Sequence, residues 1–314
     1  MKGPLFFAKI LLFGEYSIIK DSKGLSIPFN FFRGTLQWAE EETEVTQASH
    51  KSLCDYTKYL RGLSEDLLRL DWAALQADLD RKLYFDSSIP QGYGVGSSGA
   101  LVAAFYDRYA LDKISTQDAL TPQKLAQLKS IFAAMESYFH GQSSGLDPLN
   151  SYLSLPLLIH SKDKIETTVL PQQNAQGKGA VFLLDSGSSG ETAPMVSLFM
   201  ENMKEEGFSK MMREEFAQMT DQCVENFLKG NIKSLFGNMK SLSALVLKYF
   251  KPMIPDQFHG LWKKGLETNT YYLKLCGSGG GGYMLGFAKD FRRPKRPSKA
   301  TDSRWFITSK PTKP

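Results

Sequence analysis

Pro90–Ala100 reads PQGYGVGSSGA. Gly92, Gly94 and Gly96 alternate with other residues and lead through Ser97, Ser98 and Gly99 into LVAAFYDRYA, where Leu101, Phe105 and Tyr109 recur at four-residue spacing. That spacing predicts a helix, so the stretch is a glycine loop feeding a helix N-terminus. The first N–H groups of a helix have no intrahelical partner, and with the helix dipole they form an anion site. Glycines let the backbone approach a phosphate and turn where a Cβ would clash. A serine hydroxyl at the mouth can bind a phosphate oxygen or Mg²⁺. The stretch lacks a Gly-Lys-Ser/Thr end and is no clean dinucleotide fingerprint. Taken alone, it reads equally well as a serine-capped turn.

The rest of the chain bounds the options. Its 314 residues suffice for two domains. Hydrophobic residues make up 42% and charged residues 23%, which supplies ample material for soluble cores. Cys54, Cys223 and Cys276 are odd in number and scattered, which favours a reducing compartment, here the cytoplasm. No apolar run approaches a membrane span. The N-terminal LFFAKILLF is broken by Lys9 and followed by Gly14 and Glu15, so it reads as a strand and not a signal peptide. Of the net charge of +5, the segment 289–314 carries +7 and the preceding 288 residues −2. The basicity belongs to a tail, which argues against a nucleic-acid-binding face.

Along the chain, 5–13 reads as a strand, SIIK (17–20) as a second short strand, and Leu25–Trp38 as extended structure. Glu40, Glu41, Glu42 and Glu44 suggest a solvated loop before a mainly helical Ser52–Leu83. Thr121–His140 is the clearest helix: Thr121 suits an N-cap, Pro122 the first turn, and Leu125, Leu128, Phe132, Met135 and Phe139 form one stripe. Glu136 and His140 lie i,i+4 beside that stripe and can project toward one site. GQSSGLDPLN then reads as a turn and SYLSLPLLIH as a strand. Further on come a strand AVFLLD, a loop SGSSGETAP, helices through Ser197–Lys229 and Ile232–Phe250, and a strand–glycine loop–strand in TYYLKLCGSGGGGYMLGFAKD. RWFIT suggests a last short strand after the solvated FRRPKRPSK.

Four pieces stand together: FFAKILLFGEYSII (6–19), PQGYGVGSSGA (90–100), ESYFHGQSSGLDP (136–148) and KLCGSGGGGYMLGF (274–287). Their order and spacing resemble the GHMP small-molecule kinases, and HGQSSGLD resembles the HG-x-x-SG-x-D run of mevalonate kinases. The resemblance implies an α+β, two-domain fold. Residues 1–155 would form a ribosomal-protein-S5-like α/β domain with the phosphate loop, and 156–314 a ferredoxin-like domain with the late glycine loop. It also implies roles. Asp147 would accept or orient the proton of the acceptor hydroxyl, and Lys9 would keep Asp147 ionised and neutralise the transferred phosphoryl. Gly92, Gly94, Gly96, Ser97, Ser98 and Gly99 would hold ATP. Glu136 with Ser98 (or Ser97) would hold Mg²⁺. Glu15, Tyr16, Ser144, Gly279 and Gly280 would face the acceptor.

The chemistry agrees, since phosphoryl transfer needs positioning and charge neutralisation more than covalent chemistry, and a hard metal takes carboxylate and hydroxyl oxygens. Singly, the same residues have plainer readings: Lys9 as an edge lysine, Glu136 as a solvated helix residue, His140 as a helix cap, Asp147 as the start of a turn. Tyr16 stands where mevalonate kinases usually have His, Phe6-Phe7-Ala8 where Pro-Gly commonly precedes the lysine, and Ser278 where Ala is frequent. The expectation is an ATP-dependent kinase acting on a primary hydroxyl, foremost that of mevalonate, giving 5-phosphomevalonate for isoprenoid precursors. A phosphomevalonate or sugar kinase is the alternative within the family, and a non-catalytic sensor on the same fold lies outside it. The expected partner is a small molecule, with no nucleic acid and no membrane, for a monomer or homodimer.

Overall fold

A computed structural model describes residues 3–161, 164–171, 179–290 and 305–307. The first part runs β1 (Phe6–Phe13), β2 (Gly24–Trp38), α1 (Glu44–Leu60), α2 (Trp72–Asp80), β3 (Leu83–Ser87), α3 (Ser97–Tyr109), α4 (Pro122–His140), α5 (Leu146–Leu153), β4 (Leu157–Ser161) and β5 (Lys164–Thr167). Its sheet has the order β1-β2-β4-β5, with β3 on the far half of the long strand β2, and its pairings are antiparallel. The second part runs β6 (Ala180–Asp185), α6 (Thr192–Asn202), α7 (Glu206–Met211), α8 (Ala217–Leu228), α9 (Ile232–Tyr249), α10 (His259–Thr268), β7 (Tyr271–Leu275), β8 (Tyr283–Ala288) and β9 (Trp305–Ile307). These strands make an antiparallel sheet in the order β7-β8-β6-β9.

Helix α3 is the centre of the first part. Val102, Ala103, Ala104, Phe105 and Tyr106 are all buried, because the helix is packed between β1, α4 and α5. Small side chains permit that approach on one side, while Phe105 and Tyr106 fill the other. At the start of α3 a Cβ on Gly99 would lie 2.7 Å from the backbone carbon of Asp147. Glycine there lets the N-termini of α3 and α5 abut, which sets Asp147 beside the glycine loop 90–99. The N-terminal pieces of β1 and this loop are also tied, since the Lys9 N–H donates to the Val95 carbonyl at 3.0 Å.

Several local expectations change. SIIK is a 3₁₀ turn, not a strand: Gly14 at φ +119° and Tyr16 at φ +61° turn the chain out of the extended form. The acidic cluster does not delay α1 to Ser52. Thr43 and Thr46 cap each other reciprocally, and Glu44 sits in the first turn where the dipole favours it. Asp147 lies in the first turn of α5, so LDPLNSYL is helical and the following strand is only Leu157–Ser161. Pro148 is compatible because a proline in the first turn gives up an N–H that has no partner there. Ser154, in a left-handed conformation, ends that helix. The region 197–229 is broken by a turn at 203–205 and by a π-helical turn at Met212–Phe216. Helix α10 was not anticipated. Strands β4 and β5 complete the first sheet, which therefore reaches Thr167, past the expected division at 155. Segment FRRPKRPSK lies outside the described residues, and Trp305–Ile307 of RWFIT pairs with β6.

Candidate active site

A cleft of about 930 Å³ opens between the two parts and is bordered by the loops 90–99, 189–192 and 276–281. Backbone bonds knit these loops together: Gly190 N–H to Gly92 O at 2.8 Å, and Gly282 N–H to Ser188 O at 2.7 Å. Gly92 and Gly94 serve this clasp, and Gly96 makes room for Lys9. A Cβ on Gly94 would stand 2.1 Å from the Cys276 carbonyl, and one on Gly96 2.9 Å from Lys9 Cγ. Their bare faces thus meet protein, where the sequence suggested room for phosphates. The start of α3, where Ser97 and Ser98 line the cleft, has no side-chain cap, and unpartnered N–H groups are what an anion site needs.

At the floor of the cleft Lys9 Nζ lies 2.9 Å from Asp147 Oδ1. The lysine side chain is 5% exposed and that of Asp147 36%, so the lysine is the buried partner. Burial alone would lower the Lys9 pKa, but the groups around it, Asp147 foremost and Glu136 among them, together raise the value. Next to this pair, Glu136 is 3% exposed. Its Oε1 accepts the Ser98 hydroxyl at 2.9 Å and its Oε2 that of Ser143. Burial, and then the charge of Asp147, push the Glu136 carboxyl up to about 8. His140 Nε2 is 3.0 Å from the same Ser98 oxygen. Ser97 faces the Ile89 carbonyl at 3.5 Å, so Ser98 is the serine that meets Glu136.

The remaining expected residues divide. Ser144, Gly92, Ser278 and Gly279 line the cleft. Gly280 does not, because its N–H donates to the Met253 carbonyl at 2.7 Å and a Cβ there would press on the Met195 sulfur. Glu15 and Tyr16 lie at a small cavity behind the floor, away from the cleft lining. Glu15 is buried against Lys274, whose ammonium also donates to the Leu275 carbonyl at 2.8 Å. The Tyr16 hydroxyl donates to the Ser278 carbonyl at 2.7 Å, and its ring stacks on Phe199. Sequence reasoning missed Lys274. It also missed the outer wall of the cleft, where Val45, Ala48, Ser49 and Ser52 of α1 face Phe85, Ile89 and Phe139. The reciprocal Thr43–Thr46 cap was the signal available for α1; for Lys274 no local pattern points to its partner.

Comparison with known proteins shows what this arrangement is similar to. Residues 61–154 match the family model of the GHMP kinases N terminal domain. No curated protein matches the sequence. Among solved structures, the chain resembles L. major mevalonate kinase in complex with R-mevalonate, at 17% identity and a TM-score of 0.61 over 92% of this chain and 87% of that one. It also resembles Streptococcus pneumoniae phosphomevalonate kinase in complex with phosphomevalonate and AMPPNP, at 12% identity and 0.57 over 92% of each chain. A third is Lactococcus lactis galactokinase complexed with galactose, at 13% and 0.58 over 91% and 85%. Residues 61–154 are therefore similar to the GHMP kinases N terminal domain, and the chain as a whole shares the fold of solved mevalonate kinase, phosphomevalonate kinase and galactokinase structures.

Proposed function

We propose that the protein transfers the γ-phosphoryl group of ATP to the primary hydroxyl of a small metabolite, with mevalonate as the acceptor. The observation that carries this reading is the Lys9–Asp147 pair, set in one cleft with Ser98, Glu136 and the uncapped start of α3. Asp147 accepts or orients the hydroxyl proton, and Lys9 neutralises charge on the group in transit. The N–H groups of residues 97–99 receive the phosphates.

The donor set fits Mg²⁺, which takes one or two carboxylates and completes its shell with water and phosphate oxygens. Glu136 and Ser98 would hold it, and the buried, proton-retaining carboxyl of Glu136 is a group that a cation would favour in its ionised form. When bound, the ion would screen phosphate charge. The apolar wall of α1 with Phe85, Ile89 and Phe139 suits a nucleobase. The two domains divide after β5 in this reading. A soluble kinase of metabolites needs no membrane, and no described helix is long and apolar enough to cross one; the cytoplasm supplies its ATP.

Among the described residues that line the cleft, Lys9 is the one lysine or arginine, and it is already paired. That favours an acceptor without a phosphate of its own over phosphomevalonate. The test is ADP release measured with mevalonate, phosphomevalonate, homoserine and galactose. Turnover on mevalonate at least tenfold above the others supports the proposal. A preference for another acceptor removes mevalonate, and no turnover on any of them removes the kinase reading for these substrates.

A further inference from the structure

The reading above leaves His140 without a task, although it reaches into the cleft beside the proposed cation ligands. Its place is set by α4. Glu136 and His140 are one turn apart on the same face of the last turn. Gly141, at φ +72°, then turns the chain so that Ser143 comes back to the second oxygen of Glu136. Ser98 thus stands between two groups of α4, with Glu136 Oε1 at 2.9 Å and His140 Nε2 at 3.0 Å. A serine hydroxyl has one proton and two lone pairs. Once a cation in the cleft holds Glu136 in its ionised form, Ser98 donates its proton to that carboxylate and its oxygen can only accept from His140. The imidazole must then carry its proton on Nε2, and a nitrogen that carries a proton toward Ser98 is no metal ligand.

We propose that His140 is a positioning residue. Its Nε2–H fixes the Ser98 hydroxyl so that the proton points to Glu136 and the second lone pair is left for a cation in the cleft. This rests on the assignment of Ser98 and Glu136 as cation ligands. It differs from a direct contact between His140 and a phosphate, which would act on nucleotide with or without the metal.

The experiment is titration calorimetry of ADP, with and without Mg²⁺, on the wild-type protein, His140→Ala, His140→Met, His140→Gln and Ser98→Ala. Ala and Met remove the donor, whereas the Gln amide can restore an N–H at similar reach. The expected result is a loss of about fivefold in MgADP affinity for His140→Ala and His140→Met, the size of one hydrogen bond. Metal-free ADP should bind unchanged, and His140→Gln should recover most of the loss. Equal losses with and without Mg²⁺ would overturn the proposal in favour of a phosphate contact. Gln no better than Met would overturn it as well. If Ser98→Ala weakens MgADP while His140→Ala does not, the positioning role alone falls. If Ser98→Ala leaves MgADP affinity unchanged, the ligand assignment beneath it falls.

Discussion

Replacing either member of the Lys9–Asp147 pair should abolish most activity, but the two replacements should differ in stability, and the structure sets the order. Asp147→Asn keeps the shape and leaves an ammonium whose side chain is 5% exposed without its counter-charge. Removing one partner of a buried pair costs about 3–5 kcal/mol, because the other charge stays buried and uncompensated. The Asn carbonyl still accepts one hydrogen bond, so about 3 kcal/mol is expected. Lys9→Met instead leaves a carboxylate that is 36% exposed to the cleft, where water can solvate it. Met fills the space of the lysine stem, and the loss should stay within about 1 kcal/mol. The difference of about 2 kcal/mol corresponds to a midpoint about 4 °C lower for Asp147→Asn in a thermal melt. The double variant removes both charges and should melt near Lys9→Met, above Asp147→Asn. Turnover should fall about 10²–10⁴-fold in Asp147→Asn, and the double variant should be little slower than the poorer single, as for groups that act as a unit. A Lys9→Met protein less stable than Asp147→Asn would refute the assignment of the lysine as the buried partner. Full turnover in Asp147→Asn would refute its place in the chemistry.

Gly96→Ala places a Cβ 2.9 Å from Lys9 Cγ at φ +78°, so turnover should fall more than MgADP affinity does; calorimetry beside steady-state rates separates the two. Glu136 has its carboxyl raised from the ordinary 4.5 to about 8 by burial and by Asp147. Between those values the folded chain holds a proton that the unfolded chain has lost, so the stability of the nucleotide-free protein should fall as pH rises through this window. Glu136→Gln should flatten that slope in urea titrations at several pH values. At pH 7 MgADP binding should release up to one proton, read from calorimetry in buffers of different ionisation enthalpy, and equal heats in all buffers would count against Glu136 as the ligand. Lys274→Met leaves Glu15 buried and unpaired and should cost about 3–5 kcal/mol in urea unfolding.

Much of this site was legible because its parts are local. The glycine-to-helix transition at 96–97, the stripe of α4, and the i,i+4 relation of Glu136 and His140 follow from period and capping within one segment. The order of the four motifs set Lys9 and Asp147 together, and the two side chains form an ion pair at 2.9 Å. Where the reading failed, a competing local rule won. Gly-Leu-Asp-Pro scores as a turn, yet Gly145 in the left-handed region and Pro148 in a first turn are equally the start of a helix. The glutamates suggested a solvated loop, which Glu40–Glu42 form, but the threonine cap opens α1 at Glu44, well before Ser52, which brings its first turn onto the cleft.

The glycines and Lys274 were illegible for a different reason: what they touch is far away in sequence. Gly94 needs no side chain because Cys276 passes there, and Glu15 tolerates burial because Lys274 arrives 259 residues later. Both contacts join the first part to the second, one at the cleft and one behind its floor. A glycine read alone reports only that a Cβ is excluded, never what excludes it. Once the loops are seen clasped backbone to backbone, the same glycines set the distance between the two domains. The spacing from the start of α3 to the late glycine loop is thereby set by the chain's own contacts, and a site so held would lose less freedom on binding than one assembled by its ligand.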